Sequence, residues 1–244
     1  MTSTTSAITA QGGPAASGRK QSRVGASGGL YARLALDRQT KKDAFRLRHL
    51  CYHSNGYIDA RANGEFSDPY DTVPSNTTIV IYKEARAVAS VRVCGMDPSS
   101  ADPKARNLPV SRVFPDDFAG LLKPAERAVE INRLVCHPDQ SHDQGLVFIL
   151  FRMVGFMIQH HDPDLVTSCV RSNHVSFYKR LRFEAIGTPK QYTGLNFVTS
   201  FLVCRRESYD KVSKAIPALS ISPAAHAGYS GLFRGASVPV FSHA

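Results

Sequence analysis

The chain has 244 residues, 43% apolar and 20% charged, ordinary globular usage that excludes collagen-like and wholly disordered classes. Thirty Lys and Arg against twenty Asp and Glu leave a net charge of +10, which favours an acidic protein partner or peripheral contact with an anionic membrane. No apolar run approaches the roughly 20 residues of a spanning helix, and the start of the chain does not read as a secretory signal. With no zinc-finger or RNA-binding aromatic motif, nucleic acid is not an expected partner.

Residues 1–29 are rich in Ser, Thr, Gly and Ala and read as a disordered segment. A first strand is expected over 30–37, then a helix from a Thr40 cap to about Tyr52, with Ala44, Leu47 and Cys51 at core spacing. Strands at 77–82 and 86–94 read as a hairpin joined by a short charged turn. They are flanked by long loops at 53–75 and 95–116, long enough to serve as lids over a cleft. A strand at 127–136 precedes a buried helix, 146–158, whose one charge is Arg152. A strand at 164–170, a helix at 173–181 and strands near 183–187 and 196–204 complete an α/β order, antiparallel in its first half. Residues 215–244, poor in charge and rich in Pro, Gly and Ser, are expected to be disordered or to lie loosely on the core, so that 207–244 reads as a flexible C-terminal tail and 30–206 as the folded domain.

Five cysteines, Cys51, Cys94, Cys136, Cys169 and Cys204, are odd in number and widely spaced, which fits a reducing cytoplasm better than a disulfide framework. His49 and His53 lie four apart but no third ligand stands at a diagnostic spacing, so no metal site is expected. His160 and His161 end a helix, where imidazolium suits the helix dipole. In Glu130-Ile131-Asn132-Arg133, a regular strand would put Glu130 and Asn132 on one face and Arg133 on the other. A bulge there would bring Glu130 and Arg133 into one cleft. A charge in the middle of a central strand is costly unless paired, so Glu130 is either a functional carboxylate or a structural ion-pair partner.

Asn173 to Gly187, with Phe177-Tyr178, Leu181-Arg182-Phe183 and Ile186-Gly187, resembles the Asn … Phe-Tyr … Leu-Gly-Phe … Ile-Gly segment of the GNAT acyltransferases, with Arg182 in place of the usual Gly. The series Phe45–Tyr52, Asp68-Pro69-Tyr70-Asp71, Ser90-Val91-Arg92, Phe114-Pro115 and Glu130–Arg133 resembles acyl-homoserine lactone synthases and their relatives, the FeeM-type N-acyl amino acid synthases. The later Tyr192 … Gly194 … Asn196 resembles the second branch, and the lactone-branch Trp after Gly56 is replaced by Tyr57 in a chain without Trp. The superfamily's phosphate-binding signature is reduced to Gln144-Gly145.

The resemblance implies a GNAT-like α/β fold with a mixed, splayed central sheet flanked by helices. It implies an acyltransferase moving a long-chain fatty acyl group from acyl carrier protein or acyl-CoA to the α-amine of an amino acid. The donor is a substrate, with no permanently bound cofactor. In that scheme Glu130 takes the amine proton, Arg133 orients that carboxylate or binds the acceptor, and Tyr178 donates a proton to the leaving thiolate. Arg48, Asp68, Asp71, Arg92 and Asn132 become acceptor-binding residues, and Gln144, Gly145 and Asn173 meet the pantetheine arm. Alternatives in the same frame are a lactone synthase, which would need S-adenosylmethionine, and a small acetyl-CoA-dependent N-acetyltransferase. A non-catalytic module of this fold that binds an acidic partner is the third.

Overall fold

The computed structural model describes residues 29–140, 142–192 and 194–240; the segment 1–28 expected to be disordered lies outside them. Strand β1 (Leu30–Leu34) leads into helix α1 (Arg38–Ser54). The cap is Asp37 rather than Thr40. Its carboxylate accepts the Thr40 N–H at 2.8 Å and the Thr40 hydroxyl at 2.7 Å, so the expected cap sits inside the first turn. Strands β2 (Asn76–Lys83) and β3 (Arg86–Gly95) form the hairpin, turning at Glu84 in the left-handed region. After the short helix α2 (Pro115–Ala119) come β4 (Ala128–Cys136), the long helix α3 (Gln144–His161), β5 (Leu165–Arg171) and α4 (Ser172–Arg180). Strands β6 (Glu184–Gln191) and β7 (Val198–Arg205) follow.

The eight strands make one sheet in the order β6-β7-β5-β4-β3-β2-β1-β8, where β8 is Val238–Val240. Every neighbouring pair is antiparallel except β4 and β5. Strand alternation assigns the faces. Ile79 and Ile81 of β2 join Val91, Val93, Val129 and Ile131 under α3, whereas Val80 and Tyr82 point the other way and pack on Ala44 of α1. The two helices therefore cover opposite faces.

Residues 206–240 depart from expectation. Helices α5 (Arg206–Ala215) and α6 (Pro223–Tyr229) pack onto the core, and β8 pairs with β1. Leu219, Tyr229, Leu232 and Val240 are buried, with Tyr229 edge-on and Phe233 tilted against Phe156 at 5.5 and 5.8 Å. These apolar residues are too scattered to show a period. They are held because α3 is apolar nearly all round and must be covered on its outer side as well.

The two long loops also differ from lids. Asp68 and Asp71 form a capping box on a 3-10 turn over 69–72, and Ile58, Phe66, Tyr70 and Val73 are buried. Leu108, Val110 and Phe114 anchor the second loop in a cluster with Phe201. These loops are fixed walls on the α1 side of the sheet.

Candidate active site

Two backbone irregularities in β4 create the site. Its parallel pairing with β5 covers only Ala128–Ile131 against Leu165–Ser168, yet β4 runs on to Cys136 and β5 to Arg171, so the strands part beyond that point. On the other side, Ser90 faces Val135 while Arg92 faces Asn132, which leaves one extra residue in β4. Arg133 takes up that residue with φ of +53°, a conformation that costs a side-chain-bearing residue about 1–2 kcal/mol. The bulge turns Arg133 onto the α1 face together with Glu130, Asn132 and Arg92.

There a buried ionic network assembles. Arg92 donates from both terminal nitrogens to Asp68 at 2.8 and 2.9 Å and through Nε to Asn132 Oδ1 at 2.8 Å. Arg133 donates to the same Asp68 Oδ2 at 2.7 and 3.1 Å. Asp71 accepts from Arg48 at 2.7 Å and pairs with Arg92 at 2.9 Å. Burial alone would raise the Asp68 pKa, but the bonds and charges of Arg92 and Arg133 outweigh it and hold the carboxyl far below its usual range. Three arginines against two aspartates leave one positive charge, which Glu130 can balance.

Glu130 is fully buried; its Oε2 accepts the Val110 N–H at 2.6 Å and its Oε1 accepts from Asn132 Nδ2 at 3.2 Å. Burial pushes its pKa up from 4.5 to about 7, opposed by those two hydrogen bonds and by Arg92 and Arg133. Such a group is ionised or neutral near neutrality at little cost.

A cavity of 490 Å³ opens where β4 and β5 part. One wall is apolar, with Val147 and Phe151 of α3 and Phe177 and Tyr178 of α4. The other, on the α1 side, carries Tyr52, Asn55, Tyr57, Phe197 and Arg171. The cavity thus passes through the sheet, lined from both faces. Tyr178 is buried in the cavity wall together with Ser168, whose hydroxyl donates to Ile131 C=O at 2.8 Å beside the last β4–β5 pair. Burial pushes the Tyr178 pKa to about 12, so it keeps its proton at neutral pH. Two larger hollows, of 690 and 610 Å³, lie on the surface and are lined by none of the network residues.

Of the expected site residues, Asn132, Arg133 and Tyr178 line the cavity. Arg48, Arg92, Asp68 and Asp71 do not; they are committed to one another, and their visible effect is to hold Arg133 and Asn132 in place. Glu130 lies one hydrogen bond behind the wall, at Asn132. Gln144 and Gly145 do open α3, but it is Val147, one turn further on, that reaches the cavity. Asn173 is exposed on α4, and its neighbour His174 lines the site instead. Tyr52 and Tyr57 are marked only by the family resemblance, and Ser168, Arg171 and Phe197 by no spacing or motif, because the five converge from four separate segments.

His49 and His53 stack 5.5 Å apart, and among the described residues no group of three or more His, Cys, Asp or Glu could hold a metal ion. His161 corrects the imidazolium expectation: burial, with His160 and Arg127, lowers its pKa to about 4, so it is neutral. No helix among the described residues is long and apolar enough to cross a membrane.

The geometry is thus a splayed mixed sheet with a slot between its parallel strands and a buried Tyr beside it. Residues 43–205 match the model of the family described as N-acyl amino acid synthase FeeM, and the chain belongs to that family. The fold is similar to that of FeeM, an N-acyl amino acid synthase from uncultured soil microbes, at 18% identity and a TM-score of 0.62 over 75% of this chain and 93% of that one. It is also similar to the CoA-dependent acyl-homoserine lactone synthase BjaI (18% identity, TM-score 0.54, 79% of this chain and 92% of that). The lactone synthase LasI follows at 13% identity, TM-score 0.54, over 72% and 90%. No curated protein matches the sequence.

Proposed function

We propose that this acyltransferase joins a long-chain fatty acyl group, delivered as a thioester, to the α-amine of an amino acid. The observation that carries this is the two-sided slot. An apolar wall from α3 and α4 suits an acyl chain, and a polar, aromatic wall from the α1 side suits an amino acid. Each buried methylene adds about 0.8 kcal/mol, so such a wall selects long chains over acetyl. Reaction is direct aminolysis: the amine attacks the thioester carbonyl, the C–S bond breaks, and the amine proton and the thiolate charge must both be managed. Glu130, with its pKa near 7, is the proposed base; it stands one hydrogen bond behind the cavity wall, so the amine proton must reach it over a water admitted beside Asn132. Tyr178 stabilises the departing thiolate by donating its hydroxyl hydrogen.

Acyl carrier protein is the proposed donor. Helix α3 begins where a coenzyme pyrophosphate would seek free N–H groups, but the Asp143 carboxylate already accepts the Leu146 N–H there at 3.1 Å. The net charge of +10 and the hollow lined by Lys179, Arg182 and Lys211 offer an acidic carrier a docking surface instead. All five cysteines are free, in keeping with a reducing cytoplasm as its place of work. The test is incubation of the protein with acyl carrier protein and acyl-CoA panels and all amino acids, with products read by mass spectrometry. N-acyl amino acids are expected, faster from the carrier at 50 mM than at 500 mM salt, as the Debye length falls from roughly 14 to 4 Å. Absence of any N-acyl amino acid would overturn the reading, and equal use of both donors at every salt would remove the carrier preference.

A further inference from the structure

We infer that Arg171 binds the α-carboxylate of the acceptor, an inference that rests on the proposed N-acyl amino acid synthesis. An acceptor amino acid must be held by its carboxylate if its amine is to be aimed at a thioester, and that calls for a cation in the cavity wall with free donors. Arg48 and Arg92 are buried and committed to Asp71 and Asp68, and neither reaches the cavity. Arg133 reaches it, but Nε and one terminal nitrogen both go to Asp68. Arg171 alone among the cavity-lining arginines of the described residues makes no ion pair.

Its guanidinium is nevertheless held in place. The Arg171 side chain lies 4.3 Å over the Tyr57 ring and 5.8 Å from that of Phe197. One terminal nitrogen is 3.0 Å from His174 Nε2. Since arginine only donates, His174 accepts through Nε2 and carries its proton on Nδ1. With its face on Tyr57 and one N–H on His174, the guanidinium keeps most of its five donors for a ligand, the fork geometry that suits a carboxylate. The position fits the direction of the reaction. Arg171 ends β5, three residues beyond Ser168, which lines the cavity with Tyr178 where the strands part. A carboxylate at Arg171 therefore leaves the amine facing inward, toward the Tyr178 side of the slot.

The experiment compares the best amino acid acceptor with its carboxamide and its decarboxylated amine, using the wild-type chain, Arg171→Gln and Arg171→Lys. Wild type is expected to prefer the amino acid over both analogues by about 10–100-fold in kcat/KM, the range of a charge-assisted bond. Arg171→Gln should raise KM for the amino acid by a similar factor while leaving the carboxamide and the acyl donor unchanged. Arg171→Lys should recover part of the loss. An equal fall for acid and carboxamide would show a structural role, and a raised KM for the donor would assign Arg171 to the thioester arm; either overturns the inference. Indifference of wild type between acid and carboxamide overturns it while leaving the acyl transfer intact. Wild type that acylates no amino acid at all removes the functional reading and this inference together.

Discussion

Replacing Glu130 by Gln separates the charge of that side chain from its shape, and the effect on stability has a definite sign and pH window. Because burial raises the folded-state pKa from 4.5 to about 7, the folded protein holds the Glu130 proton more tightly than the unfolded chain does. That contribution is fully present below pH 4.5 and is lost as the pH rises through 7. Between pH 5 and pH 8 the wild type should lose about 2–3 kcal/mol that the Gln variant does not lose, at 1.36 kcal/mol for each tenfold change. Gln has its own cost. With its oxygen kept on the Val110 N–H, its amide nitrogen faces Asn132 Nδ2, donor against donor, for about 1 kcal/mol. That penalty is independent of pH and cancels when the two pH values are compared. Urea denaturation of both proteins at pH 5, 6, 7 and 8 measures the difference directly. Parallel pH profiles would refute the raised pKa, and with it the case for Glu130 as a base matched to neutral pH. If the profiles diverge as expected, acyl transfer by wild type should also fall as the pH drops through 7, since a protonated carboxylate cannot accept the amine proton.

Asp68→Asn removes the charge shared by Arg92 and Arg133, and should cost about 3 kcal/mol by denaturation together with most turnover, because two buried guanidinium groups lose their counter-ion. Tyr178→Phe should lower kcat about 100-fold or more with a smaller change in the acceptor KM; an unchanged kcat would remove Tyr178 from the chemistry. Arg182→Gly should raise stability by about 1 kcal/mol, or Tm by about 2–4 °C, since the exposed Arg182 holds a φ of +64° that Gly adopts freely; a lower Tm would show that its side chain holds α4 to β6.

Where periodicity was strong, the local elements could be read before any tertiary information. The helix around Ala44, Leu47 and Cys51, the β2–β3 hairpin and the apolar α3 each announce themselves through spacing, because backbone hydrogen bonding and one buried face are local constraints. The order of motifs from Phe45 to Asn196 was also enough to place the chain in its family, as the match over residues 43–205 bears out. The segment after Arg206 is not legible for the converse reason: Leu219, Tyr229, Leu232 and Val240 have no period of their own and are ordered by packing on the outer side of α3 and by the pairing of β8 with β1.

The site divides in the same way. Sequence by itself determined that a carboxylate and an arginine would meet at Glu130–Arg133 if the strand were bulged, because strand alternation otherwise separates them. Only the tertiary structure decided that β4 does bulge, that Asp68 and Asp71 arrive from a loop to bind all three arginines, and that Glu130 is sealed behind Asn132. It also brought Tyr57, Arg171, His174 and Phe197 to one wall. Contacts of that kind depend on which distant backbone segments are packed together. A register shift of one residue in β4 changes which side chains share a face, and no composition or spacing within a single segment records it.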